Sequence, residues 1–274
     1  MYIYPSRYLF LIALLLMQEL LFGQKSDPAS IAVWVTTSDQ TMLLKQQEPI
    51  YFSSPSGLRS EGILVSDTPS YQSISGLGFA LTGGSAYHIL KMGERERGVL
   101  LHELFGRRDH SIGISYLRIS LGASDLDPEV FSYDDLPLYE TDEKLVHFQL
   151  GRDTLYLIPL LRQILSIDPQ LKIMASPWSP PVWMKSNRQS KGGRLLRKYY
   201  SAYAQYFVKY ILSMQQQGIP IDAITPQNEP LHPGNNPSMY MEAEEQRDFI
   251  KDYLGPAFSE AGLGTKIVVY DHNC

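Results

Sequence analysis

Short apolar strand patterns alternate with helical patterns from about residue 76 to the end of this 274-residue sequence. The strand patterns centre near residues 77, 116, 173, 224 and 268, and four of them are followed by helical patterns. Strands that alternate with helices in this way are typical of βαβ units and a parallel sheet. The sequence therefore predicts an α/β fold, a (β/α)8 TIM barrel of which this chain supplies about five strands.

The same patterns predict the bounds of individual elements. Strands are expected at 114–120, 171–175 and 266–270, and helices from about residue 85, over 153–165, over 200–214 and over 244–258. Asp153 is expected to cap the second of these helices. An apolar stripe on the third helix is interpreted as core and not as a binding surface; it comprises Tyr200, Tyr203, Phe207, Tyr210, Ile211 and Met214.

Four glycines surround the first predicted strand of the barrel: Gly76, Gly78, Gly83 and Gly84. Their spacing is not Gly-x-Gly-x-x-Gly, and no acidic residue follows at the distance that a dinucleotide site requires. A nucleotide loop is therefore rejected. We expect these glycines to let the backbone approach a ligand or pack closely at the mouth of the barrel.

The first 70 residues predict two further parts of the chain. Residues 1–23 resemble a signal peptide, with a basic residue at Arg7, an apolar run too short to span a bilayer, and a small residue for cleavage. An amphipathic helix is the alternative. Residues 24–70 are β-rich, with predicted strands at 31–37, 42–44 and 62–66, and are expected to form N-terminal strands of a side β-sandwich. Residues 71–274 then form the first part of the catalytic barrel, and the protein is expected to be secreted or periplasmic.

Charge and composition exclude several classes of function. The net charge of −5 and the pI near 5.7 argue against binding to nucleic acid or to anionic membrane surfaces. Cys274 is the only cysteine, so neither a disulfide framework nor a thiolate zinc site can form within one chain. The six histidines show no metal-ligand spacing such as His-x-x-x-His. We expect no metal and no cofactor, and the oligomeric state stays open.

A carboxylic acid beside an amide follows the fourth predicted strand, at Asn228 and Glu229. Pro226 and Pro230 cannot continue a central strand, so the pair lies at or just past its C-terminal end. In a (β/α)8 barrel that is the catalytic face. The acid can protonate a leaving oxygen while the amide holds a sugar hydroxyl. The alternative is a capping asparagine beside a solvated glutamate.

Four more side chains lie at the expected C-terminal ends of strands: Arg118, Asp125, Trp178 and His272. An arginine at a strand end can orient a carboxylate at an active site, or it can form a structural ion pair. A tryptophan between prolines can be a sugar platform or a core residue. Asp125 lies close to Asp127 and a proline, which favours a turn.

Together these segments resemble glycoside hydrolase family 30, which contains glucosylceramidases and β-1,6-glucanases. The similarity extends from about Gly76 to Asn273. The segments that carry it are Gly-Phe-Ala-Leu-Thr-Gly-Gly-Ser-Ala (78–86), Tyr-Leu-Arg-Ile-Ser (116–120), Ala-Ser-Pro-Trp-Ser-Pro-Pro-Val-Trp-Met-Lys (175–185), Thr-Pro-Gln-Asn-Glu-Pro (225–230), Gln-Arg-Asp-Phe-Ile (246–250) and Tyr-Asp-His-Asn (270–273). Each is modestly specific, and the six in order are strongly specific.

The resemblance implies a retaining mechanism and assigns roles to several residues. Glu229 matches the acid/base of the family, and Asn228 matches the residue that binds the 2-hydroxyl. Arg118 matches the arginine that contacts the nucleophile, whereas Asp125 and Trp178 match residues that line the subsite for the non-reducing sugar. His272 falls in the matching Tyr-Asp-His-Asn segment and is expected to bind substrate. The nucleophile of the family is a second glutamate, after the seventh strand, and is expected beyond residue 274.

The functional prediction is a secreted retaining β-glycosidase that acts on β-glucosides. Glucosylceramide-like and β-1,6-glucan substrates both fit the resemblance, so the partner is a carbohydrate or a glycolipid. Because only about five strands are present, we expect an N-terminal fragment that lacks the nucleophile. The alternatives are a catalytically inactive carbohydrate-binding remnant and an unfolded fragment with exposed strand edges.

Overall fold

The computed structural model describes residues 29–52, 66, 68, 70–108 and 111–273. The chain divides into two compact units between Tyr71 and Gln72. The predicted signal peptide, nearly all of the strand predicted at 62–66, and Cys274 lie outside the described residues. The signal peptide and the side sandwich therefore stay predictions.

The N-terminal unit contains two nested antiparallel strand pairs. Strand β1 (Ser30–Ile31) pairs with β4 (Ile50–Tyr51), and β2 (Trp34–Val35) pairs with β3 (Lys45–Gln46). The described part of this unit is therefore a hairpin-like ribbon with four short strands.

The strand predicted at 42–44 is wrong, because the chain turns there and pairs only from Lys45 onward. Leu44 has a φ of 45° and Gln40 a φ of 59°. Both values lie in the left-handed region, which is incompatible with a β ladder. The apolar character of these residues gave the misleading strand pattern.

The second unit contains one five-stranded parallel sheet whose order follows the chain, β5-β6-β7-β8-β9. Its strands are β5 (Gly78–Leu81), β6 (Tyr116–Leu121), β7 (Lys172–Pro177), β8 (Ala223–Ile224) and β9 (Lys266–Ile267). Sequential parallel pairing with helical crossovers is the topology of a (β/α) barrel. The predicted fold class is confirmed: these are the first five strands of a TIM-barrel domain.

The described residues of this unit contain six α-helices. They are α1 (Gly83–Lys91), α2 (Glu94–Phe105), α3 (Leu157–Ile167), α4 (Tyr200–Gln216), α5 (Ala243–Phe249) and α6 (Gly255–Glu260), with a π-helical turn (Ile250–Leu254) between the last two. Sequence reasoning missed α2, whose first five residues are Glu-Arg-Glu-Arg-Gly. The N-terminal end of this helix is almost wholly polar, and only Leu101 and Phe105 are fully buried. The helical spacing of apolar residues is therefore weak in the sequence.

The apolar stripe of α4 is buried, as predicted, and forms the aromatic centre of the core. The ring of Tyr133, from the segment between β6 and α3, lies 5.9 Å from that of Tyr206 and 5.5 Å from that of Tyr210. Stacked aromatic pairs at these separations add to the stabilisation from buried area. This packing attaches the long segment after β6 to helix α4.

None of the helices among the described residues has the length and apolar character needed to cross a bilayer.

Asp153 does not cap a helix as predicted; its side chain is buried and accepts a hydrogen bond from the hydroxyl of Tyr133. Helix α3 starts at Leu157, after a short 3₁₀ turn that contains Asp153 (Gly151–Thr154). Burial raises the pKa of Asp153 to about 7, against the lowering effect of the hydrogen bond from Tyr133.

We expect Asp153→Asn to flatten the pH dependence of stability. Because the pKa of Asp153 is raised on folding from 3.8, its contribution is fully present below pH 3.8 and is lost as the pH rises through about 7. The free energy of unfolding of the variant relative to wild type should therefore rise between these pH values, by at most about 4 kcal/mol. Denaturant unfolding at a series of pH values measures this difference, and a difference that does not change with pH would contradict it.

Gly84 lies where helix α1 meets the segment that follows β6. A Cβ at this position would overlap the carbonyl oxygen of Leu126, and one at Gly83 would overlap the carboxylate of Asp127. Both glycines therefore permit close packing at the mouth of the barrel, which is one of the two roles expected from the sequence.

We expect Gly84→Ala to lower the free energy of unfolding by about 1–3 kcal/mol, because the overlap is with backbone and can be relieved only by moving the segment. Gly98→Ala is the matched control. Gly98 lies inside helix α2 with no atom within 4 Å of the added Cβ, so alanine should stabilise by about 0.5–1 kcal/mol. Equal effects of the two changes in chemical denaturation would show that close approach at Gly84 is unimportant.

Candidate active site

The alternation of β6 decides which side chains face the site. Leu117 and Ile119 are fully buried on one face of the strand, whereas Tyr116 and Arg118 are half-buried on the other. An open cavity of about 300 Å³ lies against Tyr116, Arg118 and strand β5. The arginine therefore projects from the polar face of the sheet toward the ends of the neighbouring strands.

Arg118 bridges two of the neighbouring strand ends. Its Nη2 atom donates to Asn228 Oδ1 at 2.7 Å and to Asp271 Oδ2 at 2.6 Å. Both hydrogen bonds are charge-assisted, and such bonds are shorter and stronger than those between neutral groups. They fix the amide of Asn228 with its carbonyl oxygen toward the guanidinium, so its NH₂ group remains available as a donor.

The carboxylate of Asp271, just past β9, is the centre of this polar network. Its Oδ2 atom accepts from Arg118, from Ser176 Oγ at 2.6 Å and from Thr225 Oγ1 at 2.8 Å. The hydroxyl groups lie 2.6 Å from each other and come from the C-terminal end of β7 and from the residue after β8. Four adjacent strand ends are thus joined through one oxygen atom.

Glu229 lies in a sharply bent segment after β8. Thr225 N donates to Ala175 O and Asn228 N donates to Pro177 O, so the segment still follows strand β7. Glu229 N then donates to Asp271 O at 2.8 Å. The φ of Glu229 is 42°, in the left-handed region that a residue with a long side chain rarely adopts.

Strain of this kind persists only where surrounding contacts enforce it, and it is frequent at functional sites. Here Gln227, which is buried, donates from Nε2 to Trp178 O and to Asn228 O at 2.7 and 2.9 Å. Asn235 Nδ2 donates to Glu229 Oε2 at 2.8 Å and orients the carboxyl group. The half-exposed acid is therefore held in one position at the C-terminal edge of the sheet.

Trp178 directly follows β7 and is only 6% exposed. The guanidinium of Arg118 lies over its ring, 4.9 Å from the centroid, in a cation–π arrangement. The ring is therefore packed against the arginine of the site. Its predicted contact with the sugar stays a prediction.

The structure does not bring Asp125 into this network. Asp125 is exposed in the segment after β6, and the turn bonds there come from Asp127, whose Oδ2 accepts from Ser124 N and Oγ. His272 follows Asp271 and is half-buried, and its Nδ1 atom has no hydrogen-bond partner in the described part of the chain. The binding roles of both residues stay predictions.

Four contributors to the site were not identified as such from sequence: Ser176, Thr225, Asn235 and Asp271. Ser176, Thr225 and Asp271 lie inside the segments that carried the family resemblance. The signal that could have found them is their position, because each of the three lies at or just after a strand end beside a predicted site residue. Asn235 lies in a loop and carries no such signal.

The arrangement is suited to proton transfer beside a positioned amide. A carboxyl group with one oxygen held and one free can donate a proton to a leaving group, while the adjacent amide offers its NH₂ to a hydroxyl. The groups lie at the C-terminal ends of parallel strands, where (β/α) barrels carry their chemistry.

This chain is similar in sequence to several known proteins. The family model described as the glycosyl hydrolase family 30 TIM-barrel domain matches residues 74–274. An endo-1,6-β-D-glucanase of Neurospora crassa is 40% identical over 219 residues, covering 77% of this chain and 45% of the relative. The lysosomal acid glucosylceramidase of Mus musculus is 31% identical over 225 residues, covering 77% of this chain and 42% of the relative.

Two solved structures are similar over most of the chain. The endo-β1,6-glucanase BT3312 has a TM-score of 0.77 and 39% identity, covering 89% of this chain and 52% of that protein. SrfJ from Salmonella typhimurium has a TM-score of 0.81 and 28% identity, covering 89% and 54%. The chain spans about half the length of the curated relatives it matches.

Proposed function

The chain belongs to glycosyl hydrolase family 30, and on that premise we propose that it carries the acid/base half of the active site of a secreted, retaining β-glycosidase. The observation that carries the proposal is the conformation of Glu229. Its left-handed backbone and its hydrogen bond from Asn235 hold one carboxyl group beside Asn228. In a retaining enzyme this carboxylic acid protonates the glycosidic oxygen and afterwards, as a carboxylate, removes a proton from water.

Asn228 and Arg118 complete this half of the site in the proposal. The Nη2–Oδ1 hydrogen bond of 2.7 Å fixes the amide so that its NH₂ group can donate to the 2-hydroxyl of the sugar. Hydrogen bonds to that hydroxyl strengthen in the oxocarbenium-like transition state. Arg118 places a positive charge where a second carboxylate has to approach the sugar.

The second carboxylate is proposed to lie outside residues 1–274. Retaining hydrolysis needs two carboxyl groups about 5–5.5 Å apart. Asp271 is fully engaged at Oδ2 by three donors, which suits a positioning role more than nucleophilic attack. A glutamate from a later strand, at the position that the family resemblance implies, would approach the same arginine. This agrees with a chain that spans about half of its relatives.

We propose β-1,6-linked glucan as the substrate in preference to glucosylceramide. The support is identity: relatives described as endo-1,6-β-D-glucanases are 36–40% identical, whereas those described as glucosylceramidases are 26–31% identical. Secretion is proposed from the N-terminal pattern of residues 1–23. A polymeric glucan outside the cell requires such an enzyme to be exported.

A substrate panel with the protein expressed from its complete reading frame tests this function. We expect release of reducing ends from β-1,6-glucan at a higher kcat/KM than hydrolysis of glucosylceramide or of β-1,4-xylan. A preference for glucosylceramide would contradict the proposed substrate but would still agree with the proposed glycosidase activity. Binding of the glucan without hydrolysis would instead support the alternative, a catalytically inactive carbohydrate-binding remnant.

A further inference from the structure

A second group of ionisable side chains lies in the segment between β6 and α3, apart from the network of Arg118 and Asp271. Asp134, Asp142 and His147 each offer one ligand atom, and these atoms all lie within 4.8 Å of one another. Asp134 is 1% exposed and Asp142 is 7% exposed, whereas the side chain of His147 is 68% exposed. The group is thus a buried pair of carboxylates under an imidazole that faces solvent.

The carboxylate of Asp134 is hydrogen-bonded at only one of its two oxygen atoms in the described part of the chain. Its Oδ2 atom accepts from Trp183 Nε1 at 3.1 Å, but its Oδ1 atom has no hydrogen-bond partner among the residues that the structure describes. A buried carboxylate oxygen without a donor is costly, and each such group in a folded protein calls for an explanation. Burial, followed by the charge of Asp142, raises the pKa of Asp134 to about 6.

Positive charge around the pair is scarce. Asp142 Oδ2 accepts from His147 N at 2.8 Å and lies 2.9 Å from His147 Nδ1. Within the described ranges neither aspartate forms an ion pair with a lysine or an arginine. The imidazole contacts Asp142 and lies within 4.8 Å of Asp134, and a bound cation would relieve the repulsion between the two carboxylates.

We propose that Asp134, Asp142 and His147 bind one divalent transition-metal ion, of which Zn²⁺ is the representative. Imidazole nitrogen and carboxylate oxygen are both ligands of Zn²⁺, and sites with three protein ligands keep the fourth position for water. The all-oxygen surroundings that Ca²⁺ prefers are not matched, because one of the three donors is nitrogen. Ligands about 2.1 Å from Zn²⁺ lie closer together than 4.8 Å, so a small approach of the three side chains has to accompany binding.

The ion would brace two segments that reach the catalytic face. Trp183, in the loop that follows β7, donates to both the backbone oxygen and the carboxylate of Asp134, each at 3.1 Å. The same loop starts with Trp178, which packs against Arg118. A metal held by Asp134 would therefore fix the segment after β6 against the loop after β7.

Sequence reasoning expected no metal because it searched for short histidine spacings. The three residues are separated by loop segments and meet only because the chain between β6 and α3 folds back on itself. Tyr133 N donates to Tyr206 Oη, and Gln149 N donates to Tyr133 O. Neither contact leaves a pattern in the sequence.

Zinc binding to chelator-treated protein, expressed from its complete reading frame, tests the proposal. We expect equilibrium dialysis against Zn²⁺ to give one bound ion fewer for His147→Ala than for wild type. Zn²⁺ should also raise the melting temperature of wild type and leave that of the variant unchanged. His147 is exposed, so the variant should fold. His102→Ala, which removes an exposed histidine from helix α2, should bind as wild type does.

Asp134→Asn keeps the shape of the buried side chain and should abolish the same binding event. Equal zinc stoichiometry in wild type and in His147→Ala would overturn the site. Binding of Ca²⁺ but not Zn²⁺ would overturn the assignment to a transition metal. Loss of zinc in His102→Ala as well would show that binding is not specific to these three residues.

Discussion

Replacing Glu229 by glutamine is expected to lower kcat/KM for β-1,6-glucan by about 10³-fold. Glutamine keeps the shape of the side chain and can still accept from Asn235, but it cannot donate a proton to the leaving oxygen. A sugar alkoxide is a poor leaving group, so the loss of the proton donor falls on the bond-breaking step. Initial rates of reducing-end release, measured with purified wild type and variant, give the ratio.

Comparing substrates with different leaving groups distinguishes loss of the catalytic acid from a general loss of enzyme structure. In an aryl β-glucoside of a strongly acidic phenol, the phenolate leaves without being protonated. Glu229→Gln should therefore retain most of its glycosylation rate on that substrate. Glu244→Gln is the matched control, because Glu244 is exposed in the first turn of α5 and should have no effect. Equal losses on both kinds of substrate would argue against an acid role for Glu229.

The second large effect is expected from Arg118→Lys, which should lower kcat/KM by about 10- to 100-fold. Lysine keeps the charge but lacks the planar guanidinium, whose Nη2 atom reaches Asn228 and Asp271 while the group lies over the ring of Trp178. Loss of charge-assisted hydrogen bonds of this kind costs about 1.5–3 kcal/mol. The effect should fall on kcat more than on KM if the arginine acts mainly in the transition state.

A double-mutant cycle with Asp271→Asn tests the network itself. The two residues share one 2.6 Å contact, so their changes should be non-additive, with a coupling energy of about 0.5–3 kcal/mol. Melting temperatures of the three variants serve as the control for folding. Additive effects on kcat/KM would mean that Asp271 does not position Arg118.

The strands of the sheet could be predicted because each one is indicated by a pattern of neighbouring residues in the sequence. In β6, the apolar pattern of Tyr-Leu-Arg-Ile-Ser predicts a strand with Arg118 near its end, and the prolines around Asn228 and Glu229 predict where β8 ends. Each of these signals lies within ten residues. The alternation of such segments then indicates the barrel topology.

The polar network could not be predicted in the same way. Arg118 and Asp271 are 153 positions apart, and their contact follows only from the parallel order of four strands. The burial of Asp153 against Tyr133 likewise depends on tertiary packing, so its local resemblance to a helix cap was misleading. Helix α2 was missed for the opposite reason, since its surface is too charged for the period to be visible.

The stereochemistry of the first product tests the central claim most directly. Proton NMR of β-1,6-gluco-oligosaccharide hydrolysis, recorded before mutarotation, reports which anomer the enzyme releases. A retaining β-glycosidase in which Glu229 serves first as acid and then as base releases the β-anomer. Initial release of the α-anomer would indicate a single displacement by water, and would contradict the role proposed here for Glu229 and for the carboxylate expected opposite it.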